Sequence, residues 1–220
     1  MFTENQSQGT ATAQSLASST VDDGSAKRRY RIEACTRECD ARTTAEAFVR
    51  EAFFRTHRAH ITTFMPTLLL LKDAAGTLRG VAGCRKAETE GLYLERYLPQ
   101  PIEAVIAERI ALRVKREQII EVGNFASSGS RAARRFMALL AYYFLGDGRM
   151  WVTFTATAPV RRMLEHVGAR CVELGVAEGA CARDSTDEWG RYYTNDPRVM
   201  AGYLSRARKI PALFDAAYAD

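Results

Sequence analysis

The chain has 220 residues, of which 47% are hydrophobic, so it can bury the core of one domain of ordinary size with segments appended to it. Its net charge of +5 is mildly basic and lacks the dense stripe of cations that nucleic-acid binding requires, which excludes that class. No apolar run approaches the ~20 residues of a membrane span, and residues 1–26 lack the apolar segment of a secretory signal.

In the first half of the chain, residues 1–28 are rich in Ser, Thr, Gln and Ala, and we expect a disordered tail there. Alternating apolar residues predict a strand at 30–34, and an apolar stripe predicts a helix that begins at a Thr43 or Thr44 cap and runs to 58. The runs 67–72 and 79–87 flank a short turn and predict a hairpin. Segment 92–98 is a short mixed stretch that ends before a proline.

In the second half, the apolar pattern predicts helices at 101–116, 130–146 and 159–168, strands at 119–126, 150–155 and 171–174, and a final amphipathic helix at 198–207. This order predicts an α/β (α+β) fold with a mixed, partly parallel, twisted sheet covered by helices on both faces. We place the core domain at 29–176. The extension at 177–220 is expected to pack an aromatic block and the final helix on that core.

Five cysteines are present, an odd number whose spacing fits no disulfide framework, and reduced thiols in a cytoplasmic protein are the simplest interpretation. His57 and His60 have the i, i+3 spacing that permits a metal site, but we interpret them as solvated residues at a helix end. We therefore expect no bound metal.

The most informative stretch is 119–135, in which a buried strand leads through a loop of small residues into a helix with three arginines at its start. Cations at a helix N-terminus are unfavourable by roughly 0.3–1 kcal/mol each, whereas anions are favoured there. Arg131, Arg134 and Arg135 therefore indicate a negatively charged group docking at this junction, with a solvated helix face as the alternative. Glu121 and Asn124 are polar residues in the otherwise apolar strand, which is typical of a group-transfer site.

The order of elements resembles the N-acetyltransferase fold, in which the pantetheine of the acyl donor lies between two splayed strands and its pyrophosphate caps the next helix. The corresponding segments here are 119–126, 150–155 and the helix from Ser130. Four runs further resemble the thermostable hemolysin family over about 60–205, namely LERYL at 94–98, EVGNFA at 121–126, WVTFTAT at 151–157 and WGRYY at 189–193. The family's name describes a lytic phenotype and does not specify a reaction.

A looser similarity is to the autoinducer synthases, which make acyl-homoserine lactones on the same fold and take acyl chains from acyl carrier protein. Glu121 and Phe125 match their strand motif, but Asn124 stands where they have arginine, and residues 58–66 contain no carboxylate. These departures argue against S-adenosylmethionine use and lactone formation. The loop at 127–132 matches the coenzyme A motif of acetyltransferases only in part, which favours a carrier protein with its single phosphate.

Acyl transfer to an amine requires a base for the ammonium proton and a donor to the thioester oxyanion. Glu121 is the predicted base, because desolvation in an apolar strand raises the pKa of a carboxyl group; the alternative is a pairing with Arg85 on a neighbouring strand. Asn124 is predicted to orient substrate or donate to the oxyanion, or else to form a turn or bulge. Glu95 is a second candidate for base or amine recognition, or else a surface acid beside Arg96.

The remaining predicted contacts divide between donor and acceptor. For an acyl-phosphopantetheine donor we expect contacts from Ser127, Ser128, Gly129, Ser130, Arg131, Arg134, Arg135, Phe125 and Thr155. For the substrate and acyl chain we expect Arg85, Trp189, Tyr192 and Tyr193, although such aromatic residues more often anchor cores or interfaces.

The resemblance and these residues together predict a cytoplasmic N-acyltransferase. It would move a fatty acyl group from acyl carrier protein, with acyl-coenzyme A as the alternative donor, to the amine of a small acceptor. Two other functions are open at this point. One is a directly membrane-active hemolysin that uses the final helix at 198–207, and the other is a non-catalytic module that binds an acyl carrier.

Overall fold

The computed structural model describes residues 30–166, 168–181 and 186–204, so the predicted tail at 1–28 lies outside the described part. Within it the strands are β1 (Arg31–Cys35), β2 (Thr67–Lys72), β3 (Leu78–Lys86), β4 (Ile119–Ser127), β5 (Trp151–Ala156), β6 (Cys171–Val176) and β7 (Arg198–Tyr203). The α-helices are α1 (Arg42–His57), α2 (Ile102–Ile110), α3 (Ser130–Gly146), α4 (Ala158–His166) and α5 (Thr186–Trp189). Short 3-10 helices occur at Tyr93–Tyr97, Arg116–Gln118, Gly179–Cys181 and Tyr193–Asn195.

The strands form one mixed sheet in the order β1-β2-β3-β4-β5-β7-β6. β4 and β5 are parallel and are joined by α3, while the other neighbours pair antiparallel. A parallel pair requires a crossover connection, and the predicted strand, helix, strand order from 119 to 155 supplies it.

Helices cover both faces of the sheet, as predicted. The alternation along β2 shows this directly, because Leu69 and Leu71 pack with the apolar face of α3 whereas Leu68 and Leu70 pack with α1. Ile119 and Ile120 divide in the same way, with Ile119 packing against α2 and Ile120 against α3. The core therefore lies in two layers on either side of the sheet.

The final helix predicted at 198–207 is wrong for the residues that the structure describes. Residues 198–203 form β7, which lies between β5 and β6, and positions 205–207 lie outside the described part. Val199, Met200 and Ala201 are all buried, so β7 is covered on both faces and its apolar residues follow one another without alternation. A short continuous apolar run of this kind fits a helix as well as a buried strand, which is why the pattern predicts a helix here.

Two helix boundaries also differ from the sequence expectation. Helix α1 begins after Ala41 without a side-chain cap, so Thr43 and Thr44 lie inside it. Helix α2 ends at Ile110, because Ala111 adopts a left-handed conformation with φ of 55°. The chain then reaches β4 through the 3-10 helix Arg116–Gln118.

Candidate active site

The centre of the candidate site is a gap where β4 and β5 separate. Their parallel pairing runs from Ile119 opposite Trp151 to Val122 opposite Phe154 and then stops, although β4 continues to Ser127 and β5 to Ala156. A bulge in β4 accompanies the separation, since the register with β3 shifts at this point and Asn124 has a φ of 46°. The bulge at Gly123-Asn124 is the conformation that the sequence left open for this dipeptide.

Asn124 holds the segment that precedes β2. Its Oδ1 accepts a hydrogen bond from the Met65 backbone N–H (2.9 Å), and its Nδ2 donates to the Thr63 carbonyl (3.4 Å). The amide is thus hydrogen-bonded to protein at both ends. This geometry gives Asn124 a positioning role at the bulge.

Glu121 lies two residues before the bulged segment and is only 2% exposed. Its two carboxylate oxygens accept hydrogen bonds from the backbone N–H groups of Tyr93 and Leu94, at 2.9 Å each, at the start of the 3-10 helix Tyr93–Tyr97. Burial raises the pKa of Glu121 above 4.5, although the two amides and the positive charge of Arg85 oppose the shift. The raised pKa makes the Glu121 carboxylate a stronger proton acceptor than an exposed glutamate.

Arg85 lies directly across the strand pair from Glu121, as the sequence alternative anticipated. Its Nε is 3.5 Å from a Glu90 oxygen, and its Nη1 donates to the Gly91 carbonyl (3.1 Å). Arg85 therefore affects Glu121 by electrostatic attraction across the strand pair, while its guanidinium is bound to the loop after β3.

Glu95 has a different environment from the one the sequence suggested. Its carboxylate receives two hydrogen bonds from Arg116, at 2.6 and 2.9 Å, and also caps the backbone N–H groups of Leu92 and Ile102. Burial alone would raise the pKa of Glu95, but these donors outweigh it and lower the pKa from 4.5 to about 2. Such a weakly basic carboxylate ties the 3-10 helix to α2, and it is not a surface acid beside Arg96, whose guanidinium stacks on Tyr93 instead.

The loop between β4 and α3 leads to an open cavity of about 660 Å³ at the start of α3. Ser128, Gly129, Ser130 and Arg131 line it together with the turn of the β2–β3 hairpin. The first turn of α3 contains no acidic residue and Gly129 gives no side-chain cap, so the helix dipole is not neutralised from within. This junction has the features of an anion site.

The other residues predicted to bind the donor at this junction do not line the cavity. The Ser127 hydroxyl donates to the Gly129 carbonyl (3.2 Å), and Phe125 stacks on Phe136 of α3. Arg134 is partly exposed on α3, whereas Arg135 is buried with its guanidinium 5.6 Å from the centre of the Tyr30 ring. Neither of these two arginines lines the cavity, whereas Arg131 does, together with Arg79 of β3.

The aromatic block 189–193 borders the opening between the two strands. The Tyr192 hydroxyl donates to the carbonyl of Thr155, one residue beyond the last β4–β5 pair (3.4 Å). Trp189 packs against Tyr192 and Tyr193, and the Tyr193 hydroxyl is 2.7 Å from that of Tyr97. The block therefore brings the predicted substrate residues to the face of the sheet that carries Glu121.

Sequence reasoning missed Arg116, Tyr93 and Met65. Arg116 is 21 residues from Glu95, and no local pattern pairs them. Met65 packs on Gly83 and Gly123, where an added Cβ would come within 2.6 Å of its side chain. The glycines at 83 and 123 could have indicated this contact. They lie opposite each other on adjacent strands, and two missing side chains leave space for a residue from elsewhere in the chain.

Within the described residues, no group of three or more His, Cys, Asp or Glu side chains is arranged to hold a metal ion. No helix in that part of the chain is long and apolar enough to cross a membrane. The five cysteines are free thiols.

Comparison with solved structures shows a shared fold at low sequence identity. The AHL synthase LasI is 16% identical with a TM-score of 0.54, over 83% of this chain and 93% of that chain. FeeM, an N-acyl amino acid synthase from uncultured soil microbes, is 16% identical with a TM-score of 0.54, over 84% and 95%. BjaI, a CoA-dependent acyl-homoserine lactone synthase solved with SAM and isopentyl-CoA, is 12% identical with a TM-score of 0.59, over 84% and 88%.

No curated protein sequence matches the chain. The family model described as Thermostable hemolysin matches residues 35–208, which includes the strand β4, the gap beside it and the aromatic block. With most of its length covered by that model, the chain belongs to the thermostable hemolysin family.

Proposed function

We propose that this protein is a cytoplasmic N-acyltransferase that moves an acyl group from a phosphopantetheine thioester to the amine of a small acceptor. The observation that carries the proposal is the gap between β4 and β5, which opens one residue pair beyond the buried Glu121. The fold similarity to an N-acyl amino acid synthase and to acyl-homoserine lactone synthases supports the same reaction class.

In this proposal the donor extends from the α3 N-terminus into the gap. The strand from Glu121 to Ser127 is about 20 Å long at ~3.3 Å per residue. This is the distance that the pantetheine has to span between a phosphate at the loop and a thioester carbonyl beside Glu121. Backbone N–H groups at the α3 N-terminus from Gly129 onward and the guanidinium of Arg131 bind the phosphate, since the Ser128 N–H is already donated to the Arg79 carbonyl (2.9 Å). Carrier protein is the favoured donor, because it presents a single phosphate. Among the described residues that line the cavity the cations are Arg131 and Arg79, and Arg79 is already paired with Asp73.

Glu121 takes the proton of the acceptor ammonium, and the free amine then attacks the thioester carbonyl. The C–N bond forms as the C–S bond breaks, the nitrogen loses its second proton to solvent, and the departing thiolate takes up a proton from solvent. The two backbone amides at Tyr93 and Leu94 keep the carboxylate oriented through this cycle. Tyr192 and Trp189 border the acyl chain beside the gap.

The test is incubation of the full chain with decanoyl-acyl carrier protein or decanoyl-coenzyme A and a panel of primary amines, following free thiol and N-acyl product. Amine-dependent thiol release is expected. Glu121→Gln should lower kcat/KM by at least 100-fold and remove its rise with pH, because general base catalysis is typically worth 10²–10⁴. Glu51→Gln, on the exposed side of α1, is the control for loss of a carboxylate.

The phosphate site is tested separately. Arg131→Ala should raise the donor KM, whereas Arg109→Ala on α2 removes an exposed arginine from the other face of the sheet and should not. A folded protein that binds acyl carrier protein but transfers no acyl group to any amine would contradict the enzyme and identify a carrier-binding module. The directly membrane-active alternative has lost its basis in the described residues, because 198–203 is an interior strand.

A further inference from the structure

The Met65 side chain occupies the position next to Glu121 on the same face of the sheet. Gly83 and Gly123 are directly paired, and the next pair on that face is Arg85 with Glu121. A Cβ built on either glycine would be 2.6 Å from Met65 atoms, so the two absent side chains make a slot that the methionine fills.

The backbone of Met65 is fixed from both sides while its side chain is not. Its N–H donates to Asn124 Oδ1 (2.9 Å), and its carbonyl accepts from the buried Arg42 Nη2 (2.8 Å). Arg42 is in turn held by Glu46 (2.8 Å). Met65 Cβ and Cγ lie against Gly83 and stay with this backbone, whereas the terminal Cε lies against Gly123 and can leave that half of the slot by rotation about the unbranched side chain.

Apart from the β4–β5 gap that the donor is proposed to enter, the neighbours of Glu121 in the strand pair and the 3-10 helix are buried. Leu94, Ile119 and Thr153 surround it with exposures of 0–1%. On the side of Arg85, the guanidinium is held in place by its contacts with the loop after β3. Met65 is therefore the flexible group on the approach over the glycine slot.

We propose that Met65 is the specificity-determining gate of the acceptor subsite, and that its side chain limits the size of the amine that can reach Glu121. The inference rests on the proposed function, in which the acceptor approaches Glu121 on this face. Shortening Met65 to alanine is expected to admit bulkier amines, because the space over Gly123 that the Met65 Cε fills then becomes part of the subsite.

The experiment compares Met65→Ala with Met200→Ala, a methionine of the same 8% exposure in β7 outside the site. With decanoyl-acyl carrier protein as donor, the ratio of kcat/KM for phenethylamine over methylamine should rise tenfold or more in Met65→Ala. It should stay within twofold of wild type in Met200→Ala and in the volume-conserving Met65→Leu. An equal ratio in the two alanine variants would overturn the gate, since loss of stability alone affects both amines alike.

A second measurement separates this inference from the proposed function. The amides of Tyr93 and Leu94 donate to Glu121, so their hydrogen exchange reports entry of water to that carboxylate. Met65→Ala should accelerate their exchange at least tenfold over wild type, and Met200→Ala should not. Absence of turnover with every donor and amine refutes the proposed function. In that case the hydrogen-exchange measurement alone tests the gate, and unchanged exchange of the Tyr93 and Leu94 amides in Met65→Ala overturns it.

Discussion

The Glu95 carboxylate provides a quantitative test of the site's architecture. Its pKa of about 2 in the fold, against an ordinary 4.5, corresponds to about 3 kcal/mol of stability at ~1.4 kcal/mol per pH unit. The side chain is 19% exposed, so solvent screening reduces this figure little. Glu95→Gln should therefore lower the free energy of unfolding at pH 7 by about 3 kcal/mol, because the amide cannot accept all of the present donors.

The pH dependence of that loss has a defined sign. A group whose folded pKa is lowered contributes stability that is present above its unfolded pKa and disappears as pH falls toward the folded value. The difference between wild type and Glu95→Gln should thus shrink by about 2 kcal/mol between pH 7 and pH 3. Carboxylates that do not interact with Glu95 titrate alike in both proteins and cancel in this difference.

The assay is urea unfolding of both proteins at a series of pH values between 7 and 3. Glu51→Gln is the matched control, because the Glu51 side chain is 76% exposed and its contact with Arg55 is 3.5 Å long. Its effect should be under about 0.5 kcal/mol and independent of pH. A difference for Glu95→Gln that is constant with pH, or no larger than that of the control, would refute the reasoning.

Three further predictions concern the gap and its neighbours. Asn124→Ala should cost at least about 1 kcal/mol more in thermal unfolding than Asn124→Gly, because only glycine adopts the left-handed conformation freely; equal losses would contradict the strained bulge. Gly123→Ala should be strongly destabilising alone but much less so in the Met65→Ala background, and a double-mutant cycle that is additive would show that the two do not touch. Glu121 has a raised pKa, so its contribution to stability is present at low pH and is lost as pH rises. The difference in unfolding free energy between wild type and Glu121→Gln should therefore change with pH in the direction opposite to that for Glu95→Gln. A change in the same direction would refute the burial of Glu121.

The parts of the fold that the sequence predicts are those set by local pattern. The apolar stripe of α3 and the small-residue loop before it define the crossover, and the polar Glu121 within an apolar strand is buried, as its neighbours indicate. The dipeptide Gly123-Asn124 likewise marks the bulge. Each of these features depends on residues close in sequence.

The parts that the sequence does not predict depend on distant partners. The Glu95–Arg116 pair joins residues separated by 21 positions, and Arg42 holds Met65 across 23. The segment 198–203 has apolar residues that fit either a helix or an interior strand, and only the edges of β5 and β6 decide between them. No window of local sequence contains that information.

The position of β7 has a consequence for any shortened form of this protein. Because β7 lies between β5 and β6, a fragment that stops at 176 lacks an interior strand and exposes the backbone N–H and C=O groups of both neighbours. Such a fragment is expected to associate through these edges and to aggregate. During synthesis the sheet likewise stays open until residue 203 is free to insert, so β7, the last strand of the described residues, must enter between β5 and the edge strand β6.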